Sequence, residues 1–338
     1  MSTGGHSQAL LALSMGDAAG IGPEIVVRAL AGGQAGRCIV VGSAEVMRQA
    51  VQQTGLLLPV ALLQSPDDGA PPGCLPVWQP PGLPTGLAAL VPGQVQAEAG
   101  RAAACCIEAA ARLALAGTVA GIVTAPIHKE ALAASGVHFP GHTEMLQALA
   151  GGGPVRMMLA NEQLRVVLVT IHVALRRAID LLDFDGVLQT LRIVQASARQ
   201  LGVVRPRIAV AGLNPHAGEG GLFGDEERLF IAPAIAAAVA EGIDARGPFA
   251  PDTVFMRARH APPDHPGEFD VVVAMTHDHG LIPVKYLGVE QGVNVTLGLP
   301  FVRTSPDHGT AFDIAGRGIA DARSFEAALR MARQLAAA

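Results

Sequence analysis

Aromatic and charged residues are both scarce in this chain of 338 residues. Phe, Trp and Tyr together make up 4% of it, and Asp, Glu, Lys and Arg make up 16%, whereas 50% is apolar. This composition excludes a disordered chain and requires hydrophobic cores built from Ala, Val, Leu and Ile. The formal net charge is −5, and no run of Lys or Arg is present. A nucleic-acid partner or an anionic membrane partner is therefore not expected.

Long apolar runs, a signal sequence and closely spaced cysteines are missing as well. No apolar stretch reaches the ~18 residues that are needed to span a bilayer. The N-terminal residues lack the basic and then apolar pattern of a signal peptide. The 4 cysteines show no CxxC spacing, which is typical of buried, reduced thiols. We therefore expect a cytoplasmic protein.

Short β-rich apolar runs alternate with helical segments, which predicts an α/β fold with a largely parallel sheet. The length favours two domains. The expected strands include Leu10–Ser14, Cys38–Val41, Thr118–Thr124, Arg207–Ala211 and Phe269–Met275. Residues 64–95 are rich in Pro and Gly, and we interpret them as surface connections.

The middle of the chain shows a different pattern. Val155–Ala160 and Leu164–Ile171 flank a short polar turn, which predicts a β-hairpin. A helix over Gly186–Leu201, capped by Asp185, and another over Asp225–Ala240 are expected to follow.

Three histidines occur shortly after predicted strands. His172 follows the apolar run at 166–171, His216 follows the strand at 207–212 across a short loop, and His277 follows the run at 270–276. Ligands of open α/β sheets bind beyond the carboxyl ends of the strands, so the three imidazoles are expected to converge. Neutral imidazole suits Zn, Co, Ni or Fe. A single histidine is more often structural, so the metal hypothesis depends on the shared placement.

Glycine-rich motifs of the common kinds are not found. The sequence contains no GxGxxG and no GxxxxGK[ST], which excludes a standard Rossmann fingerprint or a P-loop. The segment DHGTAFDIAGRG, residues 307–318, has glycines that would let the backbone approach a ligand closely. The alternative is a solvated turn before the last helix.

Two further features indicate an anionic ligand. Gly141–Glu144 opens a predicted helix, where free N–H groups and the helix dipole favour an anion, although Thr143 could simply cap the helix. Lys285, Asn294 and Arg303 follow His277 in a Gly- and Pro-rich stretch. Arginine suits bidentate binding of phosphate or carboxylate, and we expect Arg303 in a loop beside hydroxyl groups. Each of these three alone would more often be a surface residue.

Seven segments, in order along nearly the whole chain, carry a resemblance. They are Met15–Ile25 (MGDAAGIGPEI), Thr124–Leu132 (TAPIHKEAL), Gly141–Glu144 (GHTE), Gly212–Gly221 (GLNPHAGEGG), Pro251–Phe255 (PDTVF), Ala274–Gly280 (AMTHDHG) and Val293–Gly318. Together they resemble the 4-hydroxythreonine-4-phosphate dehydrogenase family, including its relatives that act on threonate or erythronate 4-phosphate.

The resemblance implies an architecture. It implies two α/β/α domains of the isocitrate/isopropylmalate dehydrogenase-like type, with residues 1–125 plus 295–338 carrying the NAD-binding loop. Residues 126–294 would form the second domain, with the metal ligands and the dimer contacts. The protein would be a homodimer with its active site at the subunit interface.

The resemblance also implies residue roles. His172, His216 and His277 would bind a divalent metal (Zn, Co or Mg). The substrate would contact His142, Thr143, Lys285, Asn294 and Arg303. NAD would contact His308, Gly309, Asp313 and Gly316, with the Asp313 carboxylate favouring NAD over NADP. Lys285 is the candidate for proton transfer, and Asp252 is a second candidate catalytic residue.

The implied reaction is the NAD-dependent oxidation and decarboxylation of 4-phosphohydroxy-L-threonine to 3-amino-2-oxopropyl phosphate. One alternative is oxidation of D-threonate or D-erythronate 4-phosphate to dihydroxyacetone phosphate. A second is a cis-dihydrodiol dehydrogenase of aromatic acid catabolism, which would not need the anion site at GHTE and Arg303. A third is a metabolite-binding protein without turnover, which would be expected to have lost a metal ligand or the glycine-rich loop.

Overall fold

The computed structural model describes residues 9–33, 36–198 and 201–337. The chain folds into two compact units. One comprises residues up to Gly153 together with Leu299–Ala337, and the other comprises Pro154–Gly298.

Strands and helices alternate through most of the described residues. The strands are β1 (Leu11–Ser14), β2 (Cys38–Val41), β3 (Val60–Leu63), β4 (Leu75–Trp78), β5 (Gly121–Thr124), β6 (Arg156–Ala160), β7 (Arg165–Leu168), β8 (Ile208–Ala211), β9 (Ala245–Phe249), β10 (His260–Ala261), β11 (His265–Pro266), β12 (Val271–Ala274), β13 (Val293–Leu297) and β14 (Val302–Pro306). The helices are α1 (Gly22–Ala31), α2 (Ala44–Thr54), α3 (Ala97–Leu115), α4 (Lys129–Ala134), α5 (His142–Leu149), α6 (Leu175–Asp180), α7 (Phe184–Ala196), α8 (Ala232–Ala240), α9 (Val254–Ala258), α10 (His277–Tyr286) and α11 (Arg323–Ala337).

The strands of the first unit run in the order β3-β4-β2-β1-β5-β14, and all neighbours in this series are parallel. Every residue of β1, β2, β5 and β14 is buried, so both faces of the sheet are covered there. This is the arrangement that continuous Val/Ile/Leu-rich strands predict, and it confirms the α/β fold. Because the strands are parallel, the loops after β1, β5 and β14 leave from the same edge.

The second unit combines parallel and antiparallel pairing. Its strands run in the order β13-β6-β7-β12-β8-β9, in which β6 pairs antiparallel with both β13 and β7. The β6–β7 pair is the predicted hairpin, and Asn161 holds its turn by accepting hydrogen bonds from the backbone N–H groups of Gln163 and Leu164. The strands β7, β12, β8 and β9 are parallel, so the segments that follow β7, β12 and β8 leave from one edge of this sheet.

The division between the units differs from the predicted one at both boundaries. Residues 126–153 belong to the first unit rather than to the second, and residues 295–298 belong to the second rather than to the first. Helix α4 packs closely on α3, and a Cβ on Gly100 would lie 2.0 Å from the carbonyl oxygen of Ala131. His142 and Thr143 are consequently part of the same unit as Arg303.

Three local predictions need correction. Residues 64–95 are not only surface connections, because they contain β4, whose Leu75 and Val77 are fully buried. Pro76 and the surrounding prolines obscured its alternating pattern. Helix α7 begins at Phe184, and its cap is Asp183, which accepts a hydrogen bond from Gly186 N at 2.7 Å, rather than Asp185. The helix expected over 225–240 is interrupted, because a π-helical turn over Glu227–Ile231 precedes α8.

No helix in the described part of the chain is long and apolar enough to cross a membrane. The four cysteines form no disulfide, and Cys38 and Cys106 are buried as predicted, whereas Cys74 and Cys105 are half-buried. Burial raises the pKa of the Cys38 thiol to about 11 and that of Cys106 well above its usual range.

Candidate active site

Arg303 is the central residue of a polar site inside the first unit. It lies in β14 and is 3% exposed, so it is not in the loop that the sequence predicted. Its Nη2 and Nε donate to the hydroxyl oxygen of Thr124 at 2.8 and 3.2 Å. Thr304, expected as a hydroxyl neighbour, donates instead to the carbonyl oxygen of Ala328, because adjacent residues of a strand point to opposite faces.

The neighbours of Arg303 make the site suitable for an anion. Burial lowers the pKa of Arg303 to about 10, and the carboxylate of Glu144 opposes this shift. The guanidinium is therefore still charged at neutral pH. Burial, followed by the positive charge of Arg303, holds the pKa of His142 well below its usual range. His142 is therefore neutral, and its buried Nε2 has no hydrogen-bond partner among the described residues.

His142 and Thr143 form the first turn of α5. The N-cap residue is Gly141 in an extended conformation, and no side chain of the described residues caps the helix. Thr143 therefore does not have the purely capping role that was the alternative. The free N–H groups of the first turn, the neutral imidazole and the Arg303 guanidinium together form a site where an anion would find hydrogen-bond donors.

The predicted cofactor loop, residues 307–318, is tightly packed against other parts of the first unit. Gly316 N donates to Glu24 Oε1 at 2.6 Å. A Cβ on Gly318 would lie 2.0 Å from the carbonyl oxygen of Gln53, and Gly318 has a φ of +66°. The glycines are thus required by close backbone approach, which is not expected of a simple solvated turn.

The loop also meets the segments that follow β1 and β5. Ile21 N donates to the carbonyl oxygen of Thr310 at 3.0 Å. The ring of His128 stacks on Phe312 with a centroid distance of 4.5 Å. His308, Gly309 and Asp313 are exposed on this loop, and a Cβ on Gly309 would meet nothing within 4 Å. The loop therefore has an anchored base and an open surface on which a cofactor could lie.

Two of the three predicted metal ligands lie side by side in the second unit. The ring centroids of His172 and His277 are 5.5 Å apart, and the ring planes are inclined at 49°. His277 Nδ1 lies 2.7 Å from Asp278 Oδ1, which leaves Nε2 as the nitrogen that would face a ligand. A carboxylate on the distal nitrogen is the usual support of a metal-binding histidine.

His216 does not join this pair within one chain. Its ring lies 6.2 Å from that of Phe223. Over residues 9–33, 36–198 and 201–337, no three His, Cys, Asp or Glu side chains come close enough together to bind one metal ion. The predicted convergence of all three rings is thus not seen in the single chain, and the metal roles of these histidines stay predictions.

The segment that carries His216 has an uncommon backbone. His216, Ala217 and Glu219 have φ values of 54°, 53° and 42°, and the glycines between and after them are also in the left-handed region. This region costs a non-glycine L-residue roughly 1–2 kcal/mol. Such a run persists only where the surrounding structure holds it, which is common at functional sites.

Glu227 lies beneath this segment and is 5% exposed. Its Oε1 accepts hydrogen bonds from the backbone N–H groups of Leu213 and Asn214, both at 2.7 Å. Its Oε2 accepts from the side-chain amide of Asn214 at 3.0 Å. Burial raises the pKa of this carboxyl, but the hydrogen bonds from Asn214 and Leu213 outweigh it and keep the pKa below its usual range.

The remaining predicted residues are spread over the second unit. Lys285 is exposed in the last turn of α10, Asn294 is half-buried in β13, and Asp252 is exposed just before α9. Their proposed roles stay predictions.

Several residues with a clear place in these sites were not singled out from the sequence. They are Thr124, Glu24, His128, Asn214 and Glu227. The first four lie in the motif segments of the sequence, which was the available signal. Glu227 lies outside those motifs, and only its burial beneath the loop reveals it.

Comparison with known proteins identifies the family. Residues 34–332 match the family described as pyridoxal phosphate biosynthetic protein PdxA. The 4-hydroxythreonine-4-phosphate dehydrogenase of Beijerinckia indica is 56% identical over 327 residues, which cover 96% of this chain and 94% of that protein. The D-threonate 4-phosphate dehydrogenase of Pectobacterium atrosepticum is 44% identical over 331 residues, with coverages of 97% and 99%.

A solved structure agrees with these sequence relationships. The crystal structure of 4-hydroxythreonine-4-phosphate dehydrogenase from Klebsiella pneumoniae superimposes with a TM-score of 0.90 at 44% identity, covering 97% of this chain and 98% of the other. Both the family match and the relatives extend over most of the chain. The chain therefore belongs to the pyridoxal phosphate biosynthetic protein PdxA family.

Proposed function

We propose that this protein oxidises and decarboxylates 4-phosphohydroxy-L-threonine with NAD, giving 3-amino-2-oxopropyl phosphate. The observation that carries the proposal is the buried Arg303 beside the neutral His142 at the first turn of α5. A charged guanidinium with hydroxyl and N–H neighbours suits a phosphate monoester, and charge-assisted hydrogen bonds of this kind are the strong ones. The relative from Beijerinckia indica is named for this substrate class.

Substrate contacts divide between two kinds of residue. His142, Thr143 and Arg303 bind the anionic end of the substrate in the first unit. Lys285 and Asn294, from α10 and β13, stay the predicted substrate contacts of the second unit. Proton transfer to the substrate carbon that loses carbon dioxide is assigned to Lys285, with Asp252 as the second candidate.

A divalent metal fits the histidines of the second unit. His172 and His277 present two imidazoles side by side, and the Asp278 carboxylate at His277 Nδ1 supports the tautomer that a ligand requires. His216 would complete the set from the partner subunit of a homodimer, because it does not join the pair within one chain. The metal, when bound, supplies Lewis-acid chemistry at the substrate hydroxyl, and Zn, Co and Mg are the candidates.

NAD fits the open surface of the loop at 307–318. Gly316 and Gly318 anchor the base of the loop, so Gly316, although predicted as a cofactor contact, lies on the packed side. His308, Gly309 and Asp313 line the open side proposed for the cofactor. The Asp313 carboxylate would accept hydrogen bonds from a ribose diol and would repel a 2′-phosphate. NAD is the acceptor of the hydride in this proposal.

A second substrate is supported by the names of other relatives. The D-threonate 4-phosphate dehydrogenase from Pectobacterium atrosepticum aligns over 97% of this chain at 44% identity. D-Threonate and D-erythronate 4-phosphate would place the same phosphate on Arg303, and the product would be dihydroxyacetone phosphate. A cis-dihydrodiol substrate lacks the phosphate that the buried site suits.

One assay tests these alternatives together. NADH formation should be followed with 4-phosphohydroxy-L-threonine, D-threonate 4-phosphate and D-erythronate 4-phosphate, each with added Zn²⁺, Co²⁺ or Mg²⁺ and again after chelation. We expect the highest kcat/KM with 4-phosphohydroxy-L-threonine and loss of activity on chelation. A higher kcat/KM with either hydroxy acid would assign the second substrate class. No NADH with any of the three would refute the proposal.

A further inference from the structure

The loop that carries His216 is built around one buried carboxylate. Glu227 Oε1 accepts two consecutive backbone N–H groups, and Oε2 accepts the side-chain amide of Asn214. Glu226 Oε2 accepts from the same amide at 2.7 Å. These contacts lie immediately before His216, at the point where the backbone enters its left-handed run.

Small residues allow the chain to wrap around this carboxylate. A Cβ on Gly212 would lie 3.0 Å from Glu227 Oε1, and a Cβ on Gly218 would lie 2.7 Å from Oε2. A Cβ on Gly224 would lie 2.4 Å from Asn214 Nδ2. The loop therefore contacts Glu227 before and after His216, and it has no room for a side chain at these points.

The helical segment that presents Glu227 is also irregular. The π-helical turn Glu227–Ile231 begins at this residue and leads into α8. A π-turn contains one residue more than a turn of α-helix, so the side chains before it point in a different direction. Such turns are frequent at functional sites. The left-handed loop and the π-turn, both uncommon, thus meet at the same carboxylate.

We propose that Glu227 is a positioning residue for His216. It holds the strained loop in the conformation that presents the imidazole to a divalent metal, and it does not itself contact substrate or metal. The inference rests on the proposed function, because it takes His216 as a metal ligand. A residue with a merely structural role would lower stability without a selective effect on metal affinity.

The test compares metal affinity with stability in four variants. Metal-free protein should be titrated with Co²⁺ by calorimetry, with the visible spectrum of the Co²⁺ protein and the melting temperature recorded on the same preparation. Glu227→Ala should weaken Co²⁺ binding about 10-fold or more, the range found when supporting residues of metal ligands are removed. Glu227→Gln should recover most of the affinity, because its Oε1 still accepts both backbone N–H groups.

Asn161→Ala is the matched control. Asn161 Oδ1 also accepts two backbone N–H groups within a turn of the second unit, both at 2.9 Å, but the turn carries no proposed ligand. The side-chain amide of Asn161 donates to the carbonyl oxygen of Val284 at 3.1 Å, near the end of α10 that lies away from His277. This variant should lower the melting temperature while its Co²⁺ affinity and spectrum stay those of the wild type. His216→Ala is the reference for loss of the ligand itself.

Each outcome decides between the two proposals. If His216→Ala loses Co²⁺ affinity and Glu227→Ala does not, the positioning role is refuted while the metal assignment stands. If His216→Ala binds Co²⁺ as the wild type does, the metal assignment fails and the positioning role fails with it. Equal affinity losses in Glu227→Ala and Asn161→Ala would show a general effect of destabilisation and would also refute the positioning role.

A second pair of variants keeps the test decisive if Glu227→Ala does not fold. Gly218 and Gly220 both have positive φ, but a Cβ on Gly218 meets Glu227 Oε2 whereas one on Gly220 meets nothing within 4 Å. The backbone strain of an alanine is therefore comparable, and only Gly218→Ala displaces the carboxylate. Gly218→Ala should weaken Co²⁺ binding by about 5-fold or more beyond the effect of Gly220→Ala. Equal affinities would overturn the proposal.

Discussion

At the scale of the residue, the site depends on how burial affects two neighbouring side chains, one that stays charged and one that stays neutral. Arg303 is buried and held by Thr124, and its positive charge acts on a neighbouring imidazole that is already desolvated. The result is one fixed cation beside one neutral imidazole. An anion entering this site would meet an oriented charge that bulk water screens only weakly.

Replacing Arg303 by alanine tests its role in substrate binding. Charge-assisted hydrogen bonds contribute roughly 1.5–3 kcal/mol each, so Arg303→Ala should lower kcat/KM by at least ~10-fold. Co²⁺ and NAD affinities should change little, because both ligands are assigned to other residues. Steady-state kinetics and two binding titrations on one preparation provide the measurement.

Thr304→Val is the control for this prediction. Thr304 is the neighbour of Arg303 in β14, is fully buried and donates to the carbonyl oxygen of Ala328. Its loss should lower the melting temperature while kcat/KM stays near the wild-type value. An Arg303→Ala variant that is less stable but has an unchanged kcat/KM would contradict the phosphate role.

His142 should make stability depend on pH. Its pKa is held well below the usual range by burial and by Arg303, whereas in the unfolded chain it titrates near pH ~6.5. Below that pH the unfolded state binds a proton that the folded state does not, so the free energy of unfolding falls as pH falls. Melting temperatures should therefore drop less between about pH 7.5 and 5.5 in His142→Asn than in the wild type.

An exposed histidine of the same unit provides the comparison. His138 is exposed, and His138→Asn should follow the wild-type dependence of melting temperature on pH. Parallel curves for all three proteins would show that His142 is not held neutral in the folded protein.

At the scale of the element, many of the candidate functional residues lie in segments that follow strands. In the first unit, the segments after β1 and β5 hold the segment after β14, which is the loop at 307–318. In the second unit, a left-handed run places His216 where a regular helix would not. Glycines occur in both segments. Some of them are required by close packing, whereas others have open space around them.

Gly318 and Gly309 lie in the same loop but in different surroundings. Gly318 is closely packed, whereas Gly309 lies at an open surface. Gly318→Ala should lower the free energy of unfolding by at least about 2 kcal/mol, because it combines a positive φ with a collision against the backbone of Gln53. Gly309→Ala should change it by less than about 0.5 kcal/mol. Denaturant unfolding followed by circular dichroism would measure both variants.

NAD affinity adds a second measurement to this pair. Gly318 anchors the base of the loop, so Gly318→Ala should also weaken NAD binding in calorimetry under conditions in which the protein is folded. An unchanged affinity would indicate that the cofactor does not depend on this loop. An equal loss of stability in Gly309→Ala would contradict the described packing.

At the scale of the whole molecule, the separation of His216 from His172 and His277 has a consequence for assembly. If one metal is bound by two subunits, two inactive variants that lack different ligands should regain activity when they form a mixed dimer. His216→Ala and His172→Ala should each be inactive alone. After mixing, denaturation and refolding, half of the dimers are mixed, and each of these contains one intact site, so about a quarter of the wild-type activity should return.

The control for this experiment uses two ligands from the same side of the site. His172→Ala and His277→Ala lie together in one chain, so their mixture should recover no activity. Sedimentation would verify that the mixed species are dimers. Failure of the first mixture to recover activity, with dimers present, would place the complete site within one subunit.

The sequence by itself determined the fold class and the family. Periodic apolar runs separated by Gly- and Pro-rich turns are local signals, so β1, β2 and the β6–β7 hairpin were predicted close to their observed bounds. Motif segments such as MGDAAGIGPEI and GHTE identified the family because each is long and their order is preserved. Both signals lie in residues that are close together in the sequence, so they can be recognised without knowing how the chain packs.

Only the tertiary structure decided which residues meet. Thr124 and Arg303 are 179 residues apart, and the pairing of β5 with β14 brings them within hydrogen-bond distance. The strand β4 was missed because prolines mask it locally, and its burial comes from its neighbours in the sheet. Glu227 belongs to no recognisable motif. Its place beneath the His216 loop follows from packing between segments distant in sequence, which local propensity does not encode.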